Sequence, residues 1–224
     1  MEKMDLHVHT NFSDGNSSVK EAIQVAQTKN LIFLAITDHF TTTWKQSVID
    51  TIDQNNFEAY RQEIINEREL ARYNCLIGIE IDAGSNFNAI RLIPFNQFEI
   101  VLFEYVDSIV TLEKLESLIQ ELELPSITAL AHNTYFKLAN LEKLSTILVK
   151  NNIYFEVNSR YLSHFDSNAI NRLKILKDHG VKFTIGSDAH DKTRIGDTDL
   201  ALSLLEQIDG VENLIDLSDY KLIF

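Results

Sequence analysis

Met4-Asp5-Leu6-His7-Val8-His9-Thr10 is a short run whose apolar residues, Met4, Leu6 and Val8, alternate with polar ones. Read as a strand, it sets His7 and His9 on one face, where one metal ion can take both imidazoles. A His-x-His pair on a surface strand would be inert, so its meaning depends on the rest of the chain. The same arrangement recurs down the sequence. Residues 31–36 lead into Thr37-Asp38-His39, and residues 75–81 carry Gly78-Ile79-Glu80 and lead into Asp82. Residues 100–105 contain Glu104, and residues 127–131 lead into His132-Asn133. Residues 153–157 contain Glu156 and precede Asn158-Ser159-Arg160, while residues 182–185 lead into Gly186-Ser187-Asp188-Ala189-His190. Strands this apolar are buried on both faces.

Helical spacing fills the intervals. Ser18-Val19-Lys20-Glu21 reads as a capping box that opens a helix with Val19, Ala22, Ile23 and Ala26 on one face. Residues 57–73, 112–122, 138–150, 167–179 and 198–208 repeat the pattern, and Gly180 is a plausible stop. Residues 89–95 read as a further extended stretch. Seven strands alternating with helices predict a parallel α/β architecture. An open sheet would gather its polar residues near one switch point, whereas here nearly every strand ends in a histidine or carboxylate. A closed barrel with its site at the C-terminal strand ends explains that better.

No Pro/Gly/Ser-rich linker, repeat or low-complexity tract interrupts the pattern, so residues 1–224 are expected to form one barrel domain. The formal charge is −13, and no basic stripe is visible, so stable nucleic-acid binding is not expected. Cys75 is the only cysteine and reads as a core residue, which excludes an intrachain disulfide. With neither a signal-peptide h-region nor a membrane-length apolar run, the expected compartment is the cytoplasm.

His7-Val8-His9-Thr10-Asn11-Phe12-Ser13-Asp14-Gly15, Thr37-Asp38-His39, Gly78-Ile79-Glu80, Ala131-His132 and Ser187-Asp188-Ala189-His190 together resemble the PHP (polymerase and histidinol phosphatase) family of metal-dependent phosphoesterases. The segments occur in the family's order and span almost the whole chain. The resemblance implies a distorted (β/α)7 barrel holding two or three divalent ions (Zn, Mn or Fe). It implies that His7, His9, Glu80 and Asp188 surround one ion. Glu80 would bridge to a second that also takes His132, and Asp14, His39 and His190 would hold a third. One departure stands out. The family's fourth strand usually supplies a histidine to the second ion, and no histidine lies between Glu80 and His132 here. Glu104 occupies about that place, either as a replacement ligand or as a bystander at the strand end.

The resemblance further implies hydrolysis of a phosphate ester of a small metabolite or nucleotide by metal-activated hydroxide. Glu80, Asp188 and His190 are the candidate catalytic residues. Arg160 and Arg194 could bind phosphate oxygens in bidentate fashion from the rim, or remain solvated loop arginines. Asp5 and Asp38 could accept hydrogen bonds from His7 and His39, or simply occupy loops. Glu156 and Asn158 share a face and could contact substrate or brace the rim. Trp44, Tyr135, Tyr161 and His164 are weaker candidates for pocket residues. His179 suits a helix C-terminus, and Glu63, Glu67, Glu69, Arg61, Arg68 and Arg72 read as a solvated helix face. Two other functions compete: a non-catalytic subunit of a nucleic-acid-processing complex, and a metal-dependent amidohydrolase. The second usually needs a strand-end lysine, which this chain lacks.

Overall fold

Seven of the short apolar runs pair side by side, all parallel, because each is joined to the next by a returning helix. The computed structural model describes residues 3–105, 111–132, 140–161 and 167–222. In chain order the elements are β1 (Met4–Val8), α1 (Val19–Thr28), β2 (Phe33–Ile36), β3 (His39–Phe40), α2 (Phe57–Ala71), β4 (Cys75–Asp82), α3 (Phe87–Ile90) and β5 (Ile100–Glu104). They continue with α4 (Leu112–Glu121), β6 (Ile127–Leu130), α5 (Leu141–Lys150), β7 (Tyr154–Asn158), α6 (Ser167–Asp178), β8 (Phe183–Gly186) and α7 (Asp199–Gln207). The sheet runs β1-β2-β4-β5-β6-β7-β8, with the two-residue β3 extending β2's side of β4 through His39 opposite Glu80 and Phe40 opposite Ile81. Val8 bridges to Ala189, and His9 N donates to Ala189 O at 2.9 Å, which draws the first strand against the last. The result is a nearly closed, distorted (β/α)7 barrel whose strand residues are all buried.

Local chemistry explains the boundaries. Ser18 accepts from Glu21 N while Glu21 accepts from Ser18 N, so the capping box opens α1 as read. Gly180 follows α6 at φ +83°, a backbone angle glycine tolerates without strain. Helix α2 stops at Ala71, two residues before the expected end, because Arg72 turns left-handed. Tyr73 leaves the helix and donates its hydroxyl to Leu31 O. The extended stretch expected over residues 89–95 is instead one helical turn, α3, started by Asn86 accepting from Asn88 N and followed by a 3-10 turn at Phe95–Gln97. Pro94 cannot donate to a ladder, and Ile90 and Phe95 are buried from turns rather than from a strand. Arg68 is not part of a solvated face: it donates to Cys75 O and pairs with Glu99 at 2.7 Å. The expected start at Leu138 of the helix observed as α5 lies outside the described residues.

Where β2 and β4 diverge to admit the site, Tyr60 of α2 closes the gap. Its buried hydroxyl lies 3.0 Å from Ile36 O and 2.7 Å from Gly78 O and accepts from Asp38 N at 3.3 Å. No helix among the described residues is long and apolar enough to cross a membrane.

Candidate metal centre

The C-terminal strand ends deliver their polar side chains to one place. From β1, His7 Nε2 and His9 Nε2 approach to 3.0 Å. Glu80 of β4 stands between four imidazoles. Its Oε1 lies 3.2 Å from both His7 Nε2 and His132 Nε2, and its Oε2 lies 3.4 Å from His9 Nε2 and 3.0 Å from His39 Nδ1. Asp188, just past β8, sets Oδ1 3.1 Å from His9 Nε2, 3.6 Å from His7 Nε2 and 3.4 Å from His190 Nδ1. Asp14 lies 3.5 Å from His39 Nε2 and 3.2 Å from His190 Nε2. Glu104, at the end of β5, reaches His39 Nδ1 at 3.1 Å. Each of four groups brings one donor atom per residue to within 4.8 Å of the others. They are His9, Asp14, His39 and His190; His7, His9 and Asp188; His7, Glu80 and His132; and His39, Glu80 and Glu104.

Two tests show that a divalent ion fits. His7, His9, Glu80 and Asp188 are each at most 3% exposed, where carboxylates and imidazoles are normally paired. Yet His9 Nδ1, His39 Nδ1, both Glu80 oxygens, His132 Nε2 and Asp188 Oδ1 are buried without a hydrogen-bond partner. Nitrogen and oxygen donors of this kind suit Zn, Mn or Fe. The backbone is also forced: His132 at φ +57° and Asp188 at φ +52° occupy the left-handed region, costing roughly 1–3 kcal/mol each for residues with a Cβ. Gly186 permits a close approach, since a Cβ there would fall 2.4 Å from both His7 Cβ and Glu156 Oε1.

Glu156 braces the cluster from beneath. Fully buried on β7, it accepts from His7 Nδ1 at 2.8 Å, from His132 N at 2.6 Å and from Asn158 Nδ2 at 3.1 Å. It thus holds one imidazole's orientation and the strained backbone of another candidate ligand. Of the two roles open for Glu156 and Asn158, bracing is the one these contacts fit.

Asp5 and Asp38 do not orient the imidazoles of His7 and His39. Asp5 accepts from Ser187 N and Oγ and from Gly196 N, tying the loop after β8 to β1. Asp38 accepts from Thr10 N and Oγ1 and from Ser13 Oγ, tying the first loop to the second strand. Both residues brace loops through short hydroxyl and amide bonds that compete successfully for the carboxylate.

The two arginines separate. Arg160 NH1 lies 2.7 Å from His190 Nδ1 and 3.1 Å from Asp188 Oδ2, at the mouth of the cluster. Arg194 lies in the 3-10 turn Lys192–Arg194, is half exposed, and approaches Asp197 at 3.7 Å. Among the described residues no contact joins it to the cluster. The turn carries the chain towards the end of α1, where Lys29 Nζ donates to Thr193 O. Lys45, not foreseen, reaches in from the 3-10 turn Trp44–Ser47 to Glu104 Oε1 at 2.7 Å. Tyr161 packs its ring on His132 at 4.6 Å between centroids, while Tyr135 and His164 lie outside the described residues.

Electrostatics couple these groups. Burial would raise Glu80, but His7, His132 and His39 hold it well below the ordinary carboxylate range. Asp188 is held below its range against burial by His9, His7 and His132. Burial would lower His7 and His39, but Glu156 and Glu80 hold the first, and Glu80, Asp14 and Glu104 the second, well above the usual 6.5. His190 is raised by Asp14 and Asp188 against burial. His9 goes the other way, to about 3, through burial and the charge of His39.

These directions set the behaviour of the metal-free chain. Stability from the raised imidazoles is complete below pH 6.5 and lost as pH rises through their folded values. Stability from neutral His9 is complete above pH 6.5 and lost as pH falls towards 3. Metal-free protein is therefore expected to unfold most reluctantly near pH 6.5. Ion binding at pH 7 should release protons, because ligands must be deprotonated. Calorimetry in buffers of different ionisation enthalpy checks this; uptake of protons on metal addition would contradict it.

Fold and site define a class: a parallel α/β barrel with a buried imidazole–carboxylate cluster at the C-terminal ends of its strands. Residues 5–104, which include His7, His9, Asp14, His39, Glu80 and Glu104, match the PHP domain, the family that the motifs resemble. No curated protein matches the sequence significantly. Among solved structures, histidinol phosphate phosphatase from Lactococcus lactis, in complex with zinc, L-histidinol and phosphate, superposes with a TM-score of 0.71 at 17% identity, covering 95% of this chain and 94% of that one. A candidate histidinol phosphatase from Listeria monocytogenes gives 0.64 at 14% identity, covering 87% and 97%. A chain of archaeal ribonuclease P with mature tRNA gives 0.54 at 14% identity, covering 99% and 97%. At these identities the likenesses establish the fold.

Proposed function

We propose that this chain is a metal-dependent phosphoesterase acting on a small phosphorylated substrate. The observation that carries the reading is Glu80, a buried carboxylate with both oxygens unpaired at the centre of four imidazoles, in a segment matching the PHP domain. His7, His9, Glu80 and Asp188 would hold one ion, and Asp14 and His39 with His190 another. Glu80 and His132 would supply a further position. Such ions supply hydroxide near neutral pH and offset charge on phosphoryl oxygens.

The chain's own residues do the rest. The cluster opens to solvent at Asp14, His190 and Arg160, whose side chains are 24%, 23% and 42% exposed, so a substrate would enter there. Arg160's guanidinium offers a planar fork for phosphate oxygens. Lys45 adds a second cation at the far side, and the carboxylates Asp14, Glu80, Glu104 and Asp188 outnumber these two cations. Ions in the cluster would reverse that sign locally, which reconciles an anionic substrate with a chain of charge −13. The same charge argues against the alternative of a nucleic-acid scaffold.

A panel of phosphoesters on manganese-loaded protein tests the reading: histidinol phosphate, nucleoside mono- and bisphosphates, sugar phosphates and short oligonucleotides. Preference for a small phosphomonoester is expected. Against the preferred substrate, Arg160→Ala should lower kcat/KM roughly 10²-fold with ions retained. Unchanged kinetics would remove Arg160 from phosphate binding.

A further inference from the structure

Of the four candidate groups, only the one containing Glu104 has an ammonium already on its carboxylate. Lys45 Nζ lies 2.7 Å from Glu104 Oε1, the same oxygen that faces His39 Nδ1 at 3.1 Å. The lysine is held there: its side chain is only 17% exposed, on a short turn capped by Thr43, whose hydroxyl also donates to Asp82. Glu104 is accordingly absent from the buried atoms that lack partners, whereas atoms of Glu80, His132, His9, His39 and Asp188 are among them. His39 meanwhile presents its other nitrogen, Nε2, to Asp14 in a separate group with His9 and His190.

Resting on the metal-centre reading above, we propose that Glu104 is a positioning residue and not a metal ligand. Lys45 neutralises it, and it stands 3.1 Å from His39 Nδ1, where its charge orients the imidazole so that Nε2 faces Asp14. A carboxylate beside the second ring nitrogen commonly orients a ligating histidine. The ammonium takes the place that an ion would need beside Glu104, and the position left to Glu80 and His132, with no ligand from β5, holds its ion weakly, so the chain holds two ions tightly rather than three.

The test is ions per chain by elemental analysis after manganese loading and desalting, with folding checked by circular dichroism. Wild type and Glu104→Gln should both hold two. Glu104→Ala, which removes the carboxylate facing His39, should still reach two at saturation with affinity reduced about 10–100-fold. Lys45→Met should gain one ion, because it frees a buried carboxylate beside His39 and Glu80, and Lys45→Arg should stay at two. Loss of an ion in Glu104→Gln, or no gain in Lys45→Met, overturns the positioning role while leaving the metal centre intact. No ion in wild type overturns the metal-centre reading and this inference together.

Discussion

Glu80→Gln is expected to lower turnover by at least about 10³-fold and to leave the chain unable to keep its full complement of ions. The carboxylate is shared: Oε1 faces His7 and His132, and Oε2 faces His9 and His39. An amide of nearly the same shape keeps the packing but presents an N–H₂ group where two acceptor oxygens are needed. Since neither oxygen has a hydrogen-bond partner, the substitution removes charge and an acceptor oxygen that nothing nearby replaces. Removing one electrostatic group from a preorganised site usually costs about 10²–10³ in rate, and loss of an ion adds to that. Steady-state kinetics and elemental analysis of the same preparation check it. A Glu80→Gln protein that kept both its ions and its turnover would show that the centre is built elsewhere.

The second large effect concerns stability. Glu156→Ala is expected to destabilise the fold by about 3–5 kcal/mol, the range for breaking a buried charged pair. Three donors lose their acceptor at once: His7 Nδ1, His132 N and Asn158 Nδ2. Burial leaves no route for water to replace it, since Glu156 is 1% exposed. His132 N belongs to a residue in the left-handed region, so the same bond helps hold strained backbone. Urea denaturation of metal-free protein should show a lower midpoint at nearly unchanged slope. A shift below ~1 kcal/mol would mean that the bonds are replaced by other groups.

Much of this is legible in the sequence. The alternation in Met4–Val8 put His7 and His9 on one face, and the recurrence of ligand-type residues after apolar runs distinguished a barrel from an open sheet. What failed did so for physical reasons. Residues 89–95 are apolar enough for a strand, but Asn86 caps a helical turn and Pro94 excludes a ladder, and both effects are local. Arg194 follows His190 by four residues, but a single 3-10 turn makes that spacing uninformative about where the guanidinium lies. Asp5 and Asp38 lie within two residues of His7 and His39, but hydroxyl groups from distant segments reach them first. Glu156 did leave a signal, a lone carboxylate in an apolar strand, but not its partner 149 residues away. Lys45 left none, because a lysine in a loop reads as solvated until the fold turns it inward.

The central claim is that the cluster holds divalent ions that work on a phosphate ester. Phosphate release from an aryl phosphate, followed while manganese is added back to chelator-stripped protein, tests it most directly. The account predicts no release from stripped protein and activity that climbs with added ion until two per chain are bound. Full activity in the presence of chelator, or a chain loaded with ions that releases no phosphate from any ester, would contradict it.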